Sequence, residues 1–166
     1  MNVSVTRMQE MLAGQQQYND IHEPGWRDEP RPWHRAVCVH AVRLLALSGG
    51  WQDMSRGPLP NAQEIGSELR TIWGYGMSME MERRHLKPLD DTQLAARLHD
   101  DITRHYREAI EGFLTPDTEA FVAILDGFIS FAGAGIFHIQ SFAYLMALAK
   151  LAPEALDGRI GSTSIA

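Results

Sequence analysis

The segment RPWHRAVCVHAVRLLALSGGW, residues 31–51, carries apolar side chains at the three- and four-residue spacing of an amphipathic helix. The stripe that faces the core consists of Trp33, Val37, His40, Leu44 and Leu47. The spacing predicts a helix over 33–48, and Gly49-Gly50 is a signal that ends it. Arg43 follows His40 by one turn on nearly the same face, where a polar group is costly unless it is paired. The segment therefore predicts a core helix that also carries an inward polar cluster.

The rest of the chain shows the same helical periodicity. Further helices are predicted over 5–19, from about 61 to 84, after Asp90, from Pro116 to about 132 and over 136–152, ended by Pro153. The helix after Asp90 has one apolar stripe, formed by Leu94, Leu98, Ile102, Tyr106 and Ile110. The proline- and glycine-rich segments 21–32 and 55–61 are predicted loops. The predicted fold is an all-α bundle of about six helices, one domain over 1–156, followed by a flexible tail over 157–166.

Composition and charge limit the classes of function. The chain has 166 residues, 45% of them hydrophobic and 22% charged, which is typical of one globular domain. Its formal net charge of −6 argues against a nucleic-acid partner and against an anionic membrane. The single cysteine, Cys38, suits a reducing compartment and is interpreted as a buried structural thiol. Without a signal-peptide pattern at its start, the chain is expected to be cytoplasmic.

The stretch GFISFAGAGIFHIQSFAYLMALA, residues 127–149, is long enough to span a bilayer and has no charged residue. Its polar residues and the Gly133-Ala134-Gly135 interruption favour two helices that are buried in a core or a subunit interface. No membrane partner is expected.

The end of the third predicted helix, with Glu80 and Arg83, is interpreted as a solvated surface.

Several blocks follow one another in an order that resembles a known family. They are Gln15-Gln16-Gln17-Tyr18-Asn19-Asp20, Trp26, the segment from Trp33 to Leu44, Gly50-Trp51, and Glu68-Leu69-Arg70-Thr71-Ile72-Trp73-Gly74-Tyr75-Gly76-Met77-Ser78. Over about residues 8–80 the chain resembles the dimeric dUTPases of phages and bacteria. These belong to the all-α nucleoside-triphosphate pyrophosphohydrolases, which include the MazG-like proteins. The resemblance implies a helical homodimer that acts on a nucleotide.

The resemblance also shows where this chain departs from the family. The family holds Mg²⁺ with four carboxylates in a Glu-x-x-Glu … Glu-x-x-Asp pattern, and the metal activates a water for attack. The four corresponding positions here are His40, Arg43, Glu68 and Thr71. Arginine has no acceptor lone pair and histidine is a poor Mg²⁺ ligand, so no metal ligand set and no catalytic residues are assigned. The family's histidine after its third-block tryptophan is Gly74 here. We therefore expect no cofactor, and Mg²⁺ only if hydrolysis survives.

The candidate nucleotide-binding residues are Gln15, Asn19, Trp26, Arg43 and Glu68, and the resemblance supports this role for Gln15 and Asn19. Gln15 and Asn19 are four residues apart, so their amides share a helix face and suit the edge of a pyrimidine. Arg43 takes the place of the metal as the cation opposite Glu68 and is available to a phosphate or an acidic partner. The alternatives are a polar surface for the amides, a satisfied polar cluster for His40 and Arg43, and simple packing for Trp26.

Three functions follow from these residues. The leading hypothesis is a dUTPase-like protein that has lost Mg²⁺-dependent pyrophosphohydrolase activity and binds a nucleotide or a protein partner. The first alternative is an active pyrophosphohydrolase that releases pyrophosphate from dUTP or another nucleoside triphosphate. The second alternative is a structural helical module that binds no small molecule.

The apolar segments 119–132 and 136–152 generate a prediction about assembly. Both are apolar on more than one face, so we expect a stable homodimer with these segments at or near the interface. Light scattering at micromolar concentration should report twice the chain mass of 18.6 kDa. A monomer under these conditions would contradict the prediction.

Overall fold

The computed structural model describes residues 4–49, 59–85, 89–113 and 115–157. Over these ranges it contains six α-helices and no strand, which confirms the all-α prediction. The helices are α1 (Val5–His22), α2 (Trp33–Ser48), α3 (Ala62–Glu82), α4 (Asp91–Glu108), α5 (Thr118–Gly133) and α6 (Ile139–Asp157). A 3₁₀ turn, Arg83–His85, follows α3, and a π-helical turn, Ala109–Phe113, follows α4.

Helices α3 and α6 lie at the centre of the bundle. α3 contacts α1, α2 and α6, while α6 also contacts α4 and α5. α2 packs between α3 and α5, and α1 packs on α4. Every residue over 76–81 of α3 is buried, because neighbouring helices cover it on several sides. This arrangement leaves one polar stripe of α3 facing α1 and α2.

The covering of α6 corrects one premise of the dimer prediction. Within the predicted segment 136–152, Ile136 is exposed but no residue over 139–152 is, so this segment has less free apolar surface than the prediction assumed. The reason is that α3, α4 and α5 together cover it within one chain. Phe131, near the end of α5, and Ile136, in the following turn, remain exposed. The homodimer itself stays a prediction.

Three helix details differ from the sequence prediction. α5 begins at Thr118 and is capped by Asp117, whose carboxylate accepts the Ala120 N–H at 2.9 Å, because aspartate is a strong N-cap. α6 continues past Pro153 to Asp157, because an interior proline can kink a helix without ending it. Ile110 leaves the apolar stripe of α4 and is 40% exposed, because the π-helical turn changes the side-chain register there.

Other parts of the sequence prediction lie wholly or partly outside the described residues. They are Gly50-Trp51, most of the loop 55–61 and nearly all of the tail 157–166. Over the described ranges, no helix combines the length and apolar character that crossing a bilayer requires.

His138 caps the start of α6. Its Nδ1 accepts the backbone N–H of Ser141 at 3.3 Å and lies 2.6 Å from the Ser141 hydroxyl oxygen. Burial, together with the nearby His105, holds the pKa of His138 below its ordinary value. The neutral ring that results can accept hydrogen bonds at Nδ1, as the cap requires.

The contact between Gly76 of α3 and Phe137 predicts a strong effect of one added methyl group. A Cβ atom at Gly76 would lie 2.5 Å from the Phe137 ring, which is itself buried. Gly76→Ala should lower the free energy of unfolding by about 1–3 kcal/mol, as overpacking of a core does. The measurement is chemical denaturation.

Gly66→Ala on the same helix is the matched control. A Cβ atom at Gly66 meets no atom within 4 Å, so this change should leave stability unchanged or raise it by about 0.5–1 kcal/mol. Equal losses in the two variants would contradict the close approach of α3 to Phe137.

Candidate functional site

The candidate site lies along one stripe of α3, where positions recur at three- and four-residue spacing. Its members are Glu68, Thr71, Tyr75, Ser78 and Glu82. α2 supplies a partner near the start of the stripe and α1 supplies partners near its middle. With a rise of 1.5 Å per residue, Glu68 and Ser78 lie about 15 Å apart along the helix. Residues of α1, α2 and α3 therefore meet along this stripe.

His40 and Glu68 form the main polar contact between α2 and α3. His40 Nδ1 lies 2.5 Å from Glu68 Oε2, and the two side chains are 15% and 22% exposed. The Tyr75 ring stacks on the imidazole with centroids 5.7 Å apart, and the Trp33 ring lies 6.2 Å from Tyr75. The imidazole in the inward stripe is thus paired with a carboxylate and covered by an aromatic ring.

Arg43 is placed differently from the sequence prediction. Its Nη1 lies 4.0 Å from Glu68 Oε1, at the outer limit of an ion pair, and its side chain is 58% exposed. The expectation that it points inward is wrong, because three residues of an α-helix turn it about 60° away from His40 toward solvent. His40, rather than Arg43, is the close partner of Glu68.

Thr71 does not join the His40–Glu68 pair. Its hydroxyl donates to the Ser67 carbonyl at 3.3 Å within α3, and the residue is exposed. Among the residues with described side chains, no group of three or more His, Cys, Asp or Glu is placed to hold a metal ion.

Gln15 and Asn19 of α1 meet Ser78 of α3. Asn19 Nδ2 donates to Ser78 Oγ at 2.9 Å, and Gln15 Nε2 donates to Asn19 Oδ1 at 2.9 Å. Asn19 and Ser78 are fully buried, whereas Gln15 is half-buried. Asn19 therefore forms its side-chain hydrogen bonds within the chain, and it positions the Gln15 amide.

Sequence reasoning gave Ser78 no role of its own. The burial of Asn19, which only the structure shows, requires a polar partner from another helix, and Ser78 is that partner. Gly74 has a related part, because a Cβ atom there would lie 3.0 Å from Gln15 Oε1. The absence of a side chain at Gly74 thus allows Gln15 to lie close against α3.

Trp26 lies beyond the end of α1, apart from the His40–Glu68 pair. The residue is 4% exposed, and its Nε1–H donates to Asp20 Oδ1 at 2.8 Å. The Arg27 guanidinium lies 4.5 Å from the indole centroid and pairs with Asp20 at 3.0 Å. Hydrogen bonds from Arg27 and Trp26 lower the pKa of the Asp20 carboxyl. One face of the ring is therefore already occupied by an arginine.

The end of α3 is more buried than the sequence predicted. Glu80 is 4% exposed and pairs with Arg83 at 3.0 Å, so the interpretation of Glu80 as solvated surface is wrong. Glu82 Oε1 accepts the backbone N–H of Arg31 at 2.8 Å. The contact between Glu82 and Arg31 ties the loop before α2 to the end of α3, beside a groove of about 390 Å³ that Trp26 and Glu82 line.

Cys38 is half-buried rather than fully buried. Burial raises the pKa of its thiol, which favours the neutral form over the nucleophilic thiolate. This agrees with a structural role.

Comparisons of the chain with protein-family models, with curated proteins and with solved structures find no match in any of the three.

The contact between His40 and Glu68 predicts how strongly α2 and α3 are coupled. His40→Ala and Glu68→Ala should each destabilise the fold, and a double-mutant cycle should give a coupling of about 1–2 kcal/mol, as for a partly exposed charge-assisted hydrogen bond. Arg43→Ala, at an exposed position, should change stability by no more than about 0.5 kcal/mol. Urea denaturation of the four variants measures these values. Additive losses at His40 and Glu68, or a large loss at Arg43, would contradict this geometry.

Proposed function

We propose that this chain is a dUTPase-like all-α protein that binds a nucleotide without Mg²⁺-dependent hydrolysis. The proposal is supported by the way α1, α2 and α3 present the blocks of the resemblance to one another on one stripe. It is also supported by the chemistry of the four positions that hold the metal in the family, of which only Glu68 is a carboxylate.

The observation that carries the proposal is the surroundings of the Glu68 carboxylate. Oε2 contacts the His40 ring at 2.5 Å, and Oε1 faces the Arg43 guanidinium at 4.0 Å. Mg²⁺ requires near-octahedral oxygen coordination and loses its waters reluctantly. A single carboxylate beside a fixed guanidinium charge is a poor site for that ion.

The nucleotide in this proposal lies along the polar stripe of α3. The exposed Arg43 guanidinium supplies donors that suit a phosphate, since arginine binds such groups with two parallel hydrogen bonds. Gln15, held by Asn19 over Gly74, supplies the amide for the base. Asn19 is a positioning residue because it is fully buried. Along α3, Gly74 beneath the Gln15 amide lies about 9 Å from Glu68, beside which the Arg43 guanidinium lies.

The proposal predicts binding without turnover. dUTP, or another pyrimidine triphosphate, should raise the melting temperature equally with Mg²⁺ and with a chelator, by the equivalent of about 2.7 kcal/mol at one hundred times Kd. Arg43→Ala should remove this shift while the free protein melts as before. Pyrophosphate release at the ordinary enzymatic rate of roughly 1–1000 per second would instead establish the active enzyme. The absence of any nucleotide-dependent shift would favour the structural module.

Restoring the family's carboxylates is the complementary experiment. The triple variant His40→Glu, Arg43→Glu and Thr71→Asp should gain Mg²⁺ affinity, measured by calorimetry, if these positions are the family's ligand positions. A folded triple variant that binds no Mg²⁺ would contradict the assignment.

A further inference from the structure

The side of α2 that faces away from the core has an unusual composition. Its exposed residues, here called the outer face of α2, are Arg35, Val39, Val42, Arg43 and Ala46. Val39 and Val42 are 52% and 56% exposed. Single exposed apolar residues need no explanation, but here three follow one another at positions 39, 42 and 46, on successive turns.

The charge of this face is opposite to that of the chain. α2 contains two arginines and two histidines and no Asp or Glu, although the whole chain has a formal net charge of −6. Arg35 forms no ion pair with any residue that the structure describes, and Arg43 reaches Glu68 only at 4.0 Å. Among the residues that the structure describes, the two arginine head groups on this face therefore have little local neutralisation.

We propose that the outer face of α2 docks an acidic amphipathic helix of another protein. The apolar side chains of such a helix, spaced three and four residues apart, would cover Val39 and Val42. Its carboxylates would pair with Arg35 and Arg43. The inference goes beyond nucleotide binding and shares only Arg43 with it.

Charge also argues against two other occupants. A second copy paired across a two-fold axis would bring Arg35 and Arg43 against the same two arginines of the other copy. A nucleic acid would need a larger set of cations, whereas this face has two arginines with apolar side chains between them, on an acidic protein.

The probe for this face is a synthetic helical peptide of about three heptads, with leucine at the a and d positions and glutamate at e and g. Its counterpart with lysine in place of glutamate is the charge control. Fluorescence anisotropy should show micromolar binding of the glutamate peptide that weakens with added salt, and no binding of the lysine peptide.

Substitutions test whether the glutamate peptide binds on the outer face of α2. Val39→Glu and Val42→Glu should each weaken binding by about tenfold or more. Each substitution puts a negative charge, of the same sign as the glutamates of the peptide, into the apolar contact. Ile21→Glu is the matched control, since Ile21 is 66% exposed on α1, and it should bind as the parent protein does. All three positions are exposed, so the melting temperatures should be unchanged.

The remaining outcomes overturn the inference. They are failure of the parent protein to bind the glutamate peptide, equal binding of the two peptides, and equal loss in all three variants.

A dimer in light scattering that becomes a monomer in Val39→Glu would assign the face to a second copy. Binding of a single-stranded oligonucleotide that depends on Arg35 and is unaffected by Val39→Glu would assign it to nucleic acid. A nucleotide-dependent melting shift that persists in Val39→Glu separates the failure of this inference from failure of the nucleotide proposal.

Discussion

The close approach of α3 to Phe137, just before α6, is the contact on which the candidate site depends. Because Gly76 has no side chain, the buried Phe137 ring packs directly against the α3 backbone. This contact fixes the rotation of α3 about its own axis. With that rotation, residues 76–81 are covered, while Glu68, Tyr75 and Ser78 face α1 and α2. A different rotation would separate both the His40–Glu68 pair and the Asn19–Ser78 pair.

Both polar contacts on the stripe satisfy groups that burial would otherwise penalise. Asn19 and Ser78 are fully buried and hydrogen-bonded to each other, so they specify the register of α1 against α3. His40 and Glu68 do the same for α2. The polar side chains on the helix faces thus orient the helices, and this role holds whether or not a nucleotide binds beside them.

Periodicity predicted the helices well because the pattern of apolar residues records which face of each helix is buried. It predicted the stripe of α4 as far as Tyr106, but it contains no signal for the π-helical turn that exposes Ile110. Periodicity placed His40 correctly in the inward stripe. It misplaced Arg43, which lies about 60° around the helix from His40, because periodicity does not show how far around α2 the neighbouring helix covers it. The covering of α6 was likewise unpredictable, since it depends on α3 and α4 as well as on α5, the helix that precedes it.

Arg43 belongs to two surfaces at once. Its guanidinium lies near Glu68 on the polar stripe, and its exposed side chain belongs to the outer face of α2 beside Val39 and Val42. A phosphate bound to the Arg43 guanidinium would neutralise the charge that an acidic partner uses. An acidic partner bound there would in turn neutralise the charge that the phosphate uses. Because linkage is reciprocal, the two ligands would weaken each other's binding by the same factor. The arginine at position 43 would thereby connect the two proposed ligands, a nucleotide and an acidic helix, through one side chain.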